Sequence, residues 1–164
     1  MIIAIDGTTA SGKGTLAKRL AAHYGLPHLD TGLLYRAVGL AGKHCGLDPD
    51  DGHGLSAIAS LVSPDHFREE DLRTAETGQL ASRAAALKGV RAALFQAQRA
   101  FALQPGGAVL DGRDIGTVIA PEADVKLYVD AARPERARRR GLELAARGQP
   151  VDLDVMIAEL AQRD

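Results

Sequence analysis

The chain has 164 residues, 46% hydrophobic but only 4% aromatic and without tryptophan, which suits one compact domain with a core of Leu, Ile, Val and Ala. Lys and Arg number 20 against 21 Asp and Glu, a net charge of −1 that excludes attachment to nucleic acid through bulk charge, so any basic site has to be local. A single cysteine, Cys45, excludes an intramolecular disulfide, and the apolar opening Met1 to Ile5 is too short for a signal peptide or a membrane span, so a cytoplasmic protein without a membrane partner is expected.

In chain order, Met1 to Ile5 is a continuous apolar run ending at Asp6 and Gly7, the pattern of a strand buried on both faces. From Lys13 the positions Leu16, Leu20 and Tyr24 fall four apart on one helical face, and Gly25 with Pro27 supplies a stop. Leu29 closes a short second strand, after which Leu34, Val38, Ala41 and Cys45 carry a helix to Gly46 and place Cys45 in the core. Residues 47–54, with their Asp, Gly and Pro, read as an exposed loop before a short helix bearing Leu55, Ile58, Ala59 and Val62. Val90, Leu94, Ala97 and Phe101 define a long amphipathic helix that ends at Pro105 to Gly107. Ala108 to Leu110 is a strand meeting Asp111, and Val125 to Val129 is another. Pro134 and Glu135 open an Arg-rich helix ended by Gly148, and a last helix starts near Asp152. Strands alternating with helices predict a parallel sheet covered by helices on both faces and joined by right-handed crossovers.

Gly7-Thr8-Thr9-Ala10-Ser11-Gly12-Lys13-Gly14-Thr15 lies between the first strand and the first helix, the context a phosphate loop requires. Glycines let backbone N–H groups converge on an anion, the helix N-terminus adds a favourable dipole, and Lys13 can reach the β and γ phosphates of a nucleotide. Gly14 departs from the general loop, in which Ser or Thr directly follows the Lys, and leaves Thr15 as the hydroxyl for a Mg²⁺ shell. The five histidines show no metal-ligand spacing with Cys45.

A Gly-Lys-Gly-Thr loop resembles that of the P-loop nucleoside monophosphate kinases. Four further segments narrow the resemblance to the cytidylate kinases: residues 30–36 (DTGLLYR), Val90-Arg91 leading to Gln98-Arg99-Ala100-Phe101, residues 111–118 (DGRDIGTV), and residues 135–140 (ERARRR). The resemblance runs through nearly the whole chain, and residues 111–118 are its most specific part. It implies a three-layer α/β/α domain over residues 1–164 with a parallel sheet of strand order 2-3-1-4-5. Its core would be residues 1–45 and 88–132, with a monophosphate-binding flap at about 46–87 and a lid at about 133–152. It also implies transfer of a phosphoryl group from ATP to CMP or dCMP by a monomer. Thr8-Thr9 stand where the family usually has Pro-Ser, Thr31 stands where Ser is common, and the segment from Val62 to Ala75 lacks room for the small sheet that some relatives carry. Gln162-Arg163-Asp164 match the start of an Arg- and Asp-rich segment that continues in the family, so its last strand and helix are expected to be absent from this chain.

The acceptor of such a kinase is a phosphate oxygen whose second pKa is about 6, so it is largely ionised at neutral pH and no general base is needed. In-line positioning and positive charge are what the reaction needs. Matched positions give Lys13, Arg113, Arg139 and Arg140 as the catalytic cations, with residues 7–15 on ATP. Thr31, Arg36, Ser82, Arg91, Arg113, Asp114 and Arg163 fall on the CMP side, Arg36 and Arg113 on its phosphate. Asp114 suits cytosine, because a carboxylate accepts from its exocyclic amine and repels the carbonyl of uracil. Asp111, at a strand end, resembles the carboxylate that works with Thr15 to hold Mg²⁺ through water; a plain turn aspartate is the other reading. Likewise Thr31 could be an ordinary helix cap, Ser82 a helix-surface hydroxyl, and individual arginines between Arg133 and Arg140 a solvated face. Other functions compatible with the loop are a kinase for a different small acceptor, a nucleotide-binding module without transfer, or an inactive fragment.

Overall fold

The structure, a computed structural model, describes residues 1–163 and divides into two compact units, Met1–Leu29 with Ala102–Asp164, and Asp30–Phe101. In the first unit a four-stranded sheet has the order β2-β3-β1-β4, where β1 is Ile2–Gly7, β2 His28–Asp30, β3 Ala108–Gly112 and β4 Val125–Val129. β1 pairs in parallel with both neighbours, Ile3 opposite Val109 and Val125, Ile5 opposite Asp111 and Leu127. This central place explains its unbroken apolar sequence. Side chains alternate across the sheet, so Ile3, Ile5 and Val109 face Leu16, Ala17, Leu20 and Ala21 of helix α1 (Lys13–Tyr24). On the opposite face Asp6 meets a short π-helical turn, Ile115–Ile119. Gly25 ends α1 in the left-handed conformation, as its position after Tyr24 predicts.

The second unit is helical: α2 (Thr31–His44), α3 (Gly52–Ala59), α4 (Glu69–Leu72), α5 (Ala75–Ala86) and α6 (Lys88–Ala102), with a 3₁₀ turn at Pro64–His66. α2 is its hub. Val38 packs with Leu55, Ala59, Ala84, Val90 and Leu94, while Ala37 and Leu40 pack with Leu72 and Phe67. The first unit closes with α7 (Arg133–Ala146) and α8 (Leu153–Arg163), joined through Ala137, Leu144, Met156 and Leu160. No helix among the described residues is long and apolar enough to cross a membrane.

Most elements fall where the periodicity puts them, with some differences. α5, which the sequence marks only through the helix-surface reading of Ser82, carries no large-hydrophobe rhythm because its inward positions are Thr77, Gly78 and Ala84 rather than Leu or Ile; Thr74 caps it, its Oγ1 accepting from Thr77 N at 3.0 Å. Val62 lies past the end of α3 yet still packs on the core around Val38. Cys45, expected in the core, is exposed: it is the C-cap of α2, and Gly46 at φ 71° turns the chain away there, beyond the buried face. β4 has the sequence of an interior strand but sits at the sheet edge with Tyr128 71% exposed, and Val125 and Leu127 are exposed as well.

Candidate functional site: a phosphate loop ringed by cations

The turn from β1 into α1 brings the loop residues together. Gly7 lies so close to β4 that a Cβ on it would stand 2.0 Å from the Val129 carbonyl oxygen, which leaves glycine as the only fit. Gly12, at φ 98°, is the N-cap of α1, so the first-turn N–H groups of that helix, which have no carbonyl behind them within the helix, follow it directly. Between them Ala10 takes φ 62°, the left-handed region that a non-glycine residue enters at a cost of roughly 1–2 kcal/mol. The Ser11 hydroxyl is buried with no hydrogen-bond partner, a polar atom left unmet inside the loop.

Cations converge on this loop. Lys13 Nζ donates to the Thr8 carbonyl at 3.1 Å, Arg136 Nη1 to the Thr9 carbonyl at 3.2 Å, and Arg139 Nη1 to the Ser11 carbonyl at 3.3 Å. Arg113 donates from Nη2 to Thr9 Oγ1. Arg140, by contrast, is ion-paired with Glu143 at 2.8 Å on its own helix, and its side chain is largely covered. Glu135 accepts from Arg138 and Arg139, hydrogen bonds that hold its carboxyl down at about 2.

Asp111 lies inside β3 and is buried, so the plain strand-end reading does not hold. His28 Nε2 lies 2.7 Å from its Oδ1, while its Oδ2 lies 3.7 Å from the place a Cβ on Gly14 would take. One oxygen is thus held and the other faces the loop beside Thr15, whose side chain is exposed. That donor set, a carboxylate and an exposed hydroxyl, fits a hard divalent cation. No group of three or more His, Cys, Asp or Glu that could hold a metal by itself occurs among the described residues.

Asp6, which the sequence reading passed over, is a second buried carboxylate. It accepts from Ile115 N and Gly116 N, both at 2.8 Å, and so fixes the turn that follows Arg113 and Asp114. A carboxylate ending an apolar strand, six residues ahead of the Gly12-Lys13 pair, was the available signal. Arg136 was likewise missed: its alternation with exposed arginines on an Arg-rich helix hid a guanidinium that is buried.

In the second unit Arg36 lies on α2 and donates from Nη1 to the carbonyls of Leu72 at 2.7 Å and Thr74 at 3.3 Å. Thr31 is buried as the first residue of α2, and Asp30 holds the N-cap position, so the cap reading of Thr31 does not hold. Ser82 is exposed and donates back to the Gly78 carbonyl at 3.0 Å; Arg91 is exposed on α6. Asp114 is the N-cap residue of the π-helical turn. The side chain of Arg163 lies outside the described residues.

A parallel sheet whose central strand runs through a glycine loop into a helix, with a lysine in the first turn and a buried carboxylate on the neighbouring strand, defines a phosphate-loop nucleotide-binding protein. The cytidylate kinase family model matches residues 3–164. Proteins named cytidylate kinase from Methylobacterium sp. (strain 4-46), Rhodopseudomonas palustris (strain BisA53) and Methylocella silvestris are 54%, 55% and 56% identical to it over 164, 164 and 165 residues. All of this chain is covered, against 78%, 78% and 76% of those proteins. The chain belongs to the cytidylate kinase family.

Proposed function

We propose that this protein is a (d)CMP kinase, transferring the γ-phosphoryl group of ATP to CMP or dCMP to give ADP and CDP or dCDP. The observation that carries the reading is the phosphate loop with three side-chain cations, Lys13, Arg113 and Arg139, already gathered on it, in a chain of this family. Backbone N–H groups of residues 7–15 and the α1 N-terminus take the donor phosphates. Lys13 exchanges the Thr8 carbonyl for a phosphate oxygen, a stronger acceptor because it is charged. Arg139, with Arg140 beside it on α7, supplies charge where the transferring group spreads it, through planar forks that match phosphate oxygens. Thr15, with Asp111 acting through water, would hold Mg²⁺, which supplies neutralisation of phosphate charge when bound. His28 keeps Asp111 turned toward the loop.

For the acceptor we assign Arg36 and Arg113 to the phosphate, Asp114 to the cytosine amine, and Thr31, Ser82, Arg91 and Arg163 to the rest of the nucleotide. These roles rest on the motif match of the individual positions. We take the enzyme to act as a monomer in the cytoplasm. A coupled assay of ADP formation with CMP, dCMP, UMP, AMP and shikimate tests the reading. CMP and dCMP should turn over, and Lys13→Met should lower kcat by roughly 10²–10³-fold, as when one preorganised charge donor is removed. Preference for AMP, or binding of nucleotide without transfer, would overturn the assignment.

A further inference from the structure

The carbonyls of the phosphate loop are not left to solvent. In a trans peptide the C=O and the following N–H point in opposite directions, so a group that fixes the carbonyl also aims the next amide. Arg136 fixes the Thr9 carbonyl and thereby the amide of Ala10, the residue held in the left-handed region. It differs from Lys13 and Arg139, which also touch loop carbonyls. Its side chain is only 4% exposed, its Nε is anchored on the Ala131 carbonyl at 2.8 Å, and it lies 3.9 Å from Asp130. Asp130 in turn accepts through Oδ1 from the Thr8 hydroxyl at 2.6 Å and from Ala131 N at 2.8 Å. Together with the close approach of Gly7 to Val129, the junction of β4 and α7 thus grips Gly7, Thr8 and Thr9 in succession.

We propose that Asp130 and Arg136 are positioning residues that brace the phosphate loop in its ligand-binding shape, and that Thr8 is the loop's own handle for that brace. The proposal rests on the reading that residues 7–15 receive ATP. Thr8 is the informative position. Its hydroxyl restrains the loop backbone through a hydrogen bond to a carboxylate. When Lys13 and Arg139 trade their carbonyls for phosphate oxygens, the buried arginine stays behind.

Thr8→Val removes the donor while keeping the shape of the side chain. Two readouts on the whole chain separate the brace from the reading beneath it. Without nucleotide, backbone NMR order parameters at Thr9, Ala10 and Ser11 should fall in the variant to the range of flexible segments and stay rigid in the parent. With Mg-ATP, calorimetric Kd and KM for ATP should rise roughly three- to tenfold, the range of one ordinary intramolecular hydrogen bond, while KM for CMP stays within about twofold. Thr8→Ser, which keeps the hydroxyl, should restore both readouts. Arg136→Lys should disorder the same three residues, since one ammonium cannot hold two carbonyls in a fixed fork. If Thr8→Val leaves loop order and ATP affinity unchanged, or weakens ATP and CMP equally, the brace is refuted. Parent protein with a rigid loop that binds no ATP would instead refute the reading beneath it.

Discussion

Asp6→Asn should destabilise the protein well out of proportion to the change of one atom. Both carboxylate oxygens of Asp6 accept buried backbone N–H groups, Oδ1 from Ile115 and Oδ2 from Gly116, each at 2.8 Å, and the residue is 8% exposed. These N–H groups open a π-helical turn and have no carbonyl behind them, so the carboxylate acts as a long-range cap reaching across 109 residues of sequence. Asparagine can present one oxygen only, and its NH₂ then confronts the second N–H. Losing one charge-assisted bond and stranding one buried donor costs about 2–4 kcal/mol. In a chain of this length each kcal/mol moves Tm by about 2–4 °C, so a drop of roughly 4–16 °C is expected in a thermal melt followed by circular dichroism. Because Arg113 and Asp114 directly precede the turn, kcat should fall further than the folded fraction alone accounts for. A variant melting within about 2 °C of the parent would refute the idea that Asp6 holds this turn.

The remaining expectations are more local. Gly7→Ala drives a Cβ into the Val129 carbonyl at 2.0 Å, backbone against backbone, which should cost roughly 4 kcal/mol or more; a folded variant with near-parent Tm would show that β4 yields there. Arg36→Lys can keep one of its two carbonyl contacts and should lower stability by only about 1 kcal/mol, yet raise KM for CMP roughly tenfold or more, so an unchanged KM would remove Arg36 from the acceptor phosphate. The Glu135 carboxyl, held at about 2 chiefly by the Arg138 hydrogen bond and then by Arg139, contributes its pairing fully above about pH 4.5 and loses it as pH falls through about 2. No change in that pairing is therefore expected between pH 5 and 8, and a ¹³C carboxyl titration with a midpoint near 4.5 would contradict the pairing.

How much of this could be read beforehand depends on whether a residue acts through near neighbours. β1, α1 and the loop between them were legible because an apolar run, a glycine set and a four-residue spacing are contiguous signals, and the family segments located Lys13, Asp111 and the arginines by position. Asp6 and Arg136 were not, since their meaning comes from partners 109 and 127 positions away. Neither composition nor helical phase picks Arg136 out from Arg138, Arg139 and Arg140: Arg140 lies nearer in phase than Arg136 to Ala137 and Leu144, the face that packs against α8. The bounds of α5 were hidden for a different reason. Its inward residues are small, which permits close helix contact but erases the large-hydrophobe rhythm that marks a helix in sequence.

The polar chemistry of the loop shares one logic. Each cation described at the loop has an acceptor there, a carbonyl for Lys13, Arg136 and Arg139 and a hydroxyl for Arg113. Leaving such groups extended into solvent would require ordering them upon binding, at a side-chain entropy cost of up to about 2 kcal/mol each. Parking them on neutral oxygens within reach means that binding exchanges a weak acceptor for an anionic one rather than ordering a free chain, and the freed carbonyls return to water. The same arrangement requires something else to keep the loop from collapsing once its cations turn to the ligand. Ala10 in a strained conformation and a Ser11 hydroxyl without a partner show that the loop is not at its own energetic optimum. A loop held away from its relaxed shape needs an anchor that does not leave with the ligand, and among the described residues Arg136, deeply buried and bonded backward to Ala131, is the loop-carbonyl cation placed to be one.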